Sequence, residues 1–277
     1  MPYPRAHFYV LLVIAVTVAG FWPSYFSTFT QGPWQFHAHG VAASIWVVLV
    51  ATQSWTAQHR QFAWHATAGK ASLLLFPFLI AGLAAIIDLT AKHYVAGDGP
   101  VRILFGGTFL FGLVLAIAAY VLLYYRALKY RRKVWLHSGY MLATPLILWE
   151  SPFSRVMNGF VPGLGIAGPQ DFPHILHSIE WAMATSVVFA LVVRWRVGER
   201  AQPFLVAACF IVAQMIAMGQ LGDLAIVRSG LSFIGNLPSA AVVAAGFATG
   251  ALTSWAGWNA GKRPPVPVTG AEVPQPA

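Results

Sequence analysis

The sequence predicts an all-α fold: a polytopic bundle of about eight transmembrane helices with both termini cytoplasmic. Three observations carry that prediction. Of the 277 residues, 58% are hydrophobic and only 9% charged, against about 25% charged in a soluble domain, so there is too little charge to coat a soluble surface. The apolar residues come in runs of the length that crosses a bilayer core, about 20 residues. The runs lack the period-two alternation of strands, and helices satisfy their own backbone groups in lipid. An ordinary soluble enzyme, a disordered chain and a disulfide scaffold are excluded. The single cysteine, Cys209, leaves no disulfide within the chain and no cysteine-rich metal site.

The runs fall at 7–28, 36–58, 64–89, 103–125, 134–154, 172–195, 202–220 and 238–258. The first follows Arg5, lacks a small-residue cleavage site and leads into further spans, so it reads as a helix and not as a removed signal. The second closes before Arg60. The third opens in H-x-x-x-G-K at 65–70, contains Pro77 and ends at Asp88. The fourth stops at the basic stretch 126–133, and the fifth contains Pro145 and reaches Glu150 and Ser151–Pro152. Proline within a span predicts a kink in the third and fifth helices. The sixth opens with His174 and His177 and closes at Arg194 and Arg196. The seventh carries Gln214, and the mixed stretch 222–237 predicts a re-entrant or interfacial segment ahead of the eighth. Residues 1–259 thus read as a single transmembrane domain. Residues 260–277, rich in Pro and polar residues, read as a disordered cytoplasmic tail.

Orientation follows from the bases. With the N-terminus inside and eight alternating spans, only Lys92, Arg102, Arg155 and Arg228 of the 17 Lys and Arg fall outside, as the positive-inside rule requires. The location implied is a cell (inner) membrane. The net charge of +9 is then a matter of orientation, and no nucleic-acid partner is expected. The acids sort the other way: Asp88, Asp98, Glu150, Asp171, Glu180 and Asp223 lie toward the outside. Glu180 sits about 12 Å into the sixth helix at about 1.5 Å per residue, a depth at which an ionisable group is a functional candidate.

Nine histidines form two tiers. In the outer tier, His39 stands in a heptad line with Trp46 and Gln53, whose amide calls for a protein neighbour. His174, His177 and Glu180 recur every three residues on one helical stripe. With Glu150 at the same level they make one candidate outer site, suited to a transition metal or to a proton relay. In the inner tier, His65 and His137 each open a helix beside a small residue, Gly69 and Gly139. Two tiers of imidazoles on different helices is what axial ligation of two b-type haems across a membrane requires.

The run His39-x6-Trp46-x6-Gln53, then His65-x3-Gly69-Lys70, then His137-x3-Met141-Leu-Ala-Thr144 with Pro152 and Arg155 downstream resembles a group of uncharacterised bacterial multi-pass membrane proteins. The likeness covers about residues 36–155 and departs at Ala66, where the group has Arg, and at Ser138–Gly139. It implies a multi-pass fold and no particular activity. The tiered histidines also give a looser architectural likeness to cytochrome b561-type di-haem proteins.

The reading is therefore an integral membrane protein that binds haem b or a transition metal in the outer half of the bilayer. His39, His174 and His177 would be ligands, with Glu180 or Glu150 as further ligand or proton carrier and His65 and His137 as a second cofactor pair. Its partners would be the lipid bilayer and other membrane redox subunits or a second copy of the chain. Two other readings are a proton-coupled transporter, with Glu180, Gln53, Gln214 and Glu150 on its path, and a structural or assembly subunit of a membrane complex. Phosphate loops, the nucleophile elbow and the zinc-protease motif are absent from the sequence.

Overall fold

A computed structural model describes residues 2–262; the predicted tail from 263 onward lies outside the described residues. Among them every regular element is helical. The long helices are α1 (Ala6–Phe21), α2 (Trp34–Gln58), α3 (Phe62–Ala96), α4 (Pro100–Lys129), α5 (Val134–Phe160), α6 (Pro173–Val197) and α7 (Gln202–Gln220). A short α8 (Ala225–Gly235) falls in the mixed stretch, and α9 (Ser239–Ala260) follows. A π-helical turn, Trp22–Phe26, extends α1.

Six helical stretches are long and apolar enough to cross a membrane: Ala6–Phe26, Trp34–Gln58, Phe62–Ala96, Pro100–Lys129, Pro169–Gln220 and Ser239–Ala260. The stretch Pro169–Gln220 holds both α6 and α7, which turn at Gly198 (φ 75°) and pack back on one another. The α5 helix is as long as the others but carries Glu150, Arg155 and Asn158 in its second half. Glycine also makes the turn between α3 and α4: Gly97 ends α3 at φ 68°, and Gly99 at φ 72° precedes the Pro100 that opens α4.

The helices α1, α2, α3, α9, α4, α7, α6 and α5 follow one another around the bundle, each packed on the next, and α5 closes on α1. Within this ring α4 also packs on α3 and α5, and α8 lies against α3 and α4. Lipid gives helices no hydrophobic reason to associate, so close approach through small residues has to supply the contact. On α9, a methyl group at Gly246 would stand 2.6 Å from Ala84 Cβ, one at Gly250 2.5 Å from Pro77 Cα, and one at Gly257 3.0 Å from Leu128 Cβ. Gly82 of α3 meets the backbone of His39 on α2 in the same way, and Gly20 of α1 meets the Pro152 carbonyl of α5. The helical assignment runs unbroken through Pro77 and through Pro145.

Asp88 is fully buried in α3. Its Oδ1 accepts a hydrogen bond from Lys92 Nζ at 2.7 Å, and the same ammonium donates to the Leu237 carbonyl at 2.9 Å. The pair thus ties α3 to the link between α8 and α9.

Three outcomes are expected. Gly250→Leu costs about 1–3 kcal/mol by overpacking and lowers the thermal transition in detergent. Gly159→Leu, where a side chain would meet nothing within 4 Å, leaves that transition unchanged. Lys92→Met strands the Asp88 carboxylate and destabilises by about 3–5 kcal/mol, read in the same assay.

Candidate functional site

Two cavities open toward opposite ends of the bundle, named inner and outer after the orientation expected from the sequence, and a layer of buried aromatics separates them. Trp46 of α2 and Tyr124 of α4 are wholly buried at its centre with Phe76 of α3. Phe76 stacks on Tyr124 at 4.2 Å, and the Trp46 ring lies 5.2 Å from Tyr124, 5.5 Å from Phe76 and 6.5 Å from Tyr120. Trp46 Nε1 donates to Thr144 Oγ1 of α5 at 3.0 Å, and that hydroxyl donates on to the Met141 carbonyl. Four helices, α2, α3, α4 and α5, are thereby joined at one depth. Tyr120 lines the outer cavity and Tyr124 the inner one.

The inner cavity, of about 520 Å³, lies beside the basic 126–133 stretch. His65, at the start of α3, and His137, at the start of α5, both line it. Their ring centroids are 6.4 Å apart with an interplanar angle of 81°. His65 Nδ1 donates to the Gln53 carbonyl at 3.2 Å, and His137 Nδ1 donates to the Ala127 carbonyl at 2.9 Å. A carbonyl only accepts, so in each ring Nδ1 carries the proton. When the imidazole is neutral, Nε2 keeps its lone pair. Holding one ring nitrogen on a backbone carbonyl is how proteins orient metal-binding histidines.

The rest of that cavity is apolar wall with a basic rim. Lys70, Arg131 and Arg132 supply the charge. Burial, and then the neighbouring Arg132, push the Arg131 guanidinium down from its usual range, so an anion placed here would relieve it. Gln53 is buried in the wall, and its Nε2 has no partner. Gly69 stands opposite: a Cβ there would meet only the Gln53 side chain, at 3.4 Å.

The outer cavity, of about 650 Å³, takes in His39, Glu150, Arg102 and Arg155. His39 Nδ1 and the Tyr120 hydroxyl are buried without partners. His174, His177 and Glu180 do not line it; α6 contributes Ile175 and Ile179 instead. His177 and Glu180 are exposed, and Glu180 lies over Gly219 of α7. His174 and His177 sit 6.4 Å apart on their own helix, and His174 Nδ1 donates to the Gly165 carbonyl.

The expected outer ligand set of His39, Glu150, His174, His177 and Glu180 is therefore not assembled. The reason is helical phase and helix order. Turning Ile175 and Ile179 inward turns 177 and 180 outward, and α2 packs on α1, α3 and α5 whereas α6 packs on α5 and α7. Among the described residues no three His, Cys, Asp or Glu converge on one point. Of the residues expected on a transport path, Gln53 lies in the inner cavity and Glu150 in the outer one, while Gln214 is buried with its amide donating to the Gly112 carbonyl at 3.0 Å.

Some residues of consequence were not singled out in the sequence as site residues. Asp88 and Lys92 could have been found from their i, i+4 spacing. Tyr120 and Tyr124 have the same spacing, but nothing in the chain marks them as facing Trp46. No protein-family model, curated protein or solved structure matches the chain, so the site rests on its own geometry.

Trp46→Phe is expected to lower the thermal transition by the loss of a buried hydrogen bond, about 1–3 kcal/mol. Trp55→Phe, on the same helix but 41% exposed, is expected to leave it in place.

Proposed function

We propose that this chain is an integral membrane protein of eight spans, both ends cytoplasmic, which holds one haem b between His65 and His137 and serves membrane electron transfer. The observation that carries this reading is the His65–His137 pair. A metal centre held between His65 and His137 would need their rings about 6 Å apart, and the ring centroids are 6.4 Å apart.

The donor set favours haem over a bare ion. Two imidazoles would not complete a tetrahedral metal site, whereas haem would bring its other iron ligands with it and would ask only His65 and His137 of the protein. The residues around the pair fit such a group. Lys70, Arg131 and Arg132 offer positive charge to carboxylates, Gln53 Nε2 lacks a partner, and Gly69 keeps the wall thin. Bound haem supplies a one-electron couple. The chain's own part is to fix both imidazoles on backbone carbonyls and to wall the cavity off with the aromatic layer. That layer also speaks against the transporter reading, because it interrupts any polar route between the two ends.

The test is spectroscopic. Protein purified from membranes of cells grown with a haem precursor is expected to show a Soret band that shifts on reduction, with one haem per chain. His65→Ala and His137→Ala are each expected to abolish the band. His39→Ala and His174→Ala are expected to keep it. Absence of a Soret band in the wild-type protein, or its persistence in both inner variants, would overturn the proposal.

A further inference from the structure

The outer cavity is a long groove with its positive charge at one end. On α4 its wall is formed by Arg102, Phe109, Leu113, Ala116 and Tyr120, one helical face that runs roughly 27 Å at about 1.5 Å per residue. Tyr120 closes the deep end against Trp46. Between the ends the lining is apolar, with Leu79, Leu83, Ile147, Ile179 and Met218. The volume of about 650 Å³ lies within the range of small-molecule sites, about 300–1,000 Å³.

The charges are unbalanced. Arg102 and Arg155 face a single acid, Glu150, which sits deeper on α5. Neither arginine is within ion-pair distance of Glu150; the ion pairs among the described residues are Asp88–Lys92, Asp98–His93 and Asp223–Arg228. Arg102 donates no side-chain hydrogen bond to any described residue and only lies 5.8 Å from the Phe36 ring. Asp98, the acid nearest to it at the rim, is held by His93. Arg155, an exposed residue at the rim, donates to the Ser151 carbonyl and hydroxyl through one nitrogen and covers the Phe21 ring at 4.5 Å, which leaves its other guanidinium nitrogens without a described protein partner. His39 Nδ1, buried and unpartnered, lines the same cavity.

We infer that the outer cavity binds an amphiphile with an anionic head, the head held by Arg102 and Arg155 and one apolar chain laid along α4 toward Tyr120. Arginine is the residue that grips such an oxyanion, because its fork donates two parallel hydrogen bonds. The anionic head has two available sources, a free long-chain carboxylic acid and an acidic phospholipid of the bilayer. The site does not depend on the His65–His137 pair.

The experiment uses delipidated full-length protein in non-ionic detergent, with radiolabelled hexadecanoic acid as the probe. Saturable binding of one equivalent per chain is expected, and hexadecan-1-ol, which has the same chain but no charge, is expected to compete at least about tenfold more weakly. Arg102→Gln changes a half-buried side chain in the first turn of α4; it is expected to weaken binding about tenfold with an unchanged thermal transition. Leu113→Trp, which fills the middle of the groove with both arginines intact, is expected to abolish binding. Phosphatidylglycerol forms the second arm. If it displaces the probe at a lower concentration than unlabelled hexadecanoic acid does, the head comes from the bilayer; if not, it comes from the free acid; either result supports the site. No saturable binding, equal competition by the alcohol, or wild-type affinity in folded Arg102→Gln and Leu113→Trp would each overturn it.

Discussion

Everything that positions chemistry in this molecule depends on Trp46. Its indole is wholly buried, its N–H is satisfied by Thr144 of α5, and its faces are closed by Phe76 of α3 and by Tyr124 and Tyr120 of α4. A buried indole N–H without an acceptor is costly, so the hydrogen bond to Thr144 sets the depth at which α2 meets α5. The same ring divides the interior into two cavities. Had a smaller residue stood there, the inner and outer cavities would have no wall between them.

The second constraint is the economy of polar groups. In lipid each buried polar atom needs a partner inside the protein, and most of those in the bundle have one. Of the six exceptions among the described residues, His7 Nδ1, Asp88 Oδ2 and Ser254 Oγ line neither cavity and three do. His39 Nδ1 and the Tyr120 hydroxyl face the outer cavity, and Gln53 Nε2 lines the inner one. Unsatisfied polar atoms are tolerated where a cavity lets another molecule or water reach them. The three atoms that line the cavities are where a bound molecule would find a hydrogen-bond partner.

The helices were legible in the sequence because a span needs a fixed length of apolar residues, and no apolar run extends more than two residues beyond its helical stretch. What faces inward was not. In a soluble helix the apolar stripe marks the core, but in a bilayer the lipid side is equally apolar, so Ile175 and Ile179 gave no sign that they and not His177 and Glu180 turn inward. The inner histidines were legible as a tier and not as a pair, because His65 and His137 meet only through the packing of three helices. Glycine was informative in one place and silent in another. Gly69 stood out beside His65, while Gly246 and Gly250, which seat α9 on α3, lie in a run too uniform to mark them. Arg102 registered only as a base outside the positive-inside tally, yet it is the guanidinium left without an acceptor at the mouth of the outer cavity.

The aromatic layer has an electrical consequence. A voltage across a membrane falls most steeply over the least polar matter in its path, and between the two cavities that matter is Trp46, Phe76 and Tyr124. The layer acts as a thin dielectric between the two cavities. A unit charge carried from one side of it to the other does, or extracts, work of up to about 2.3 kcal/mol for each 100 mV of membrane potential. Three side chains thus make any charge transfer between the cavities responsive to the energetic state of the membrane.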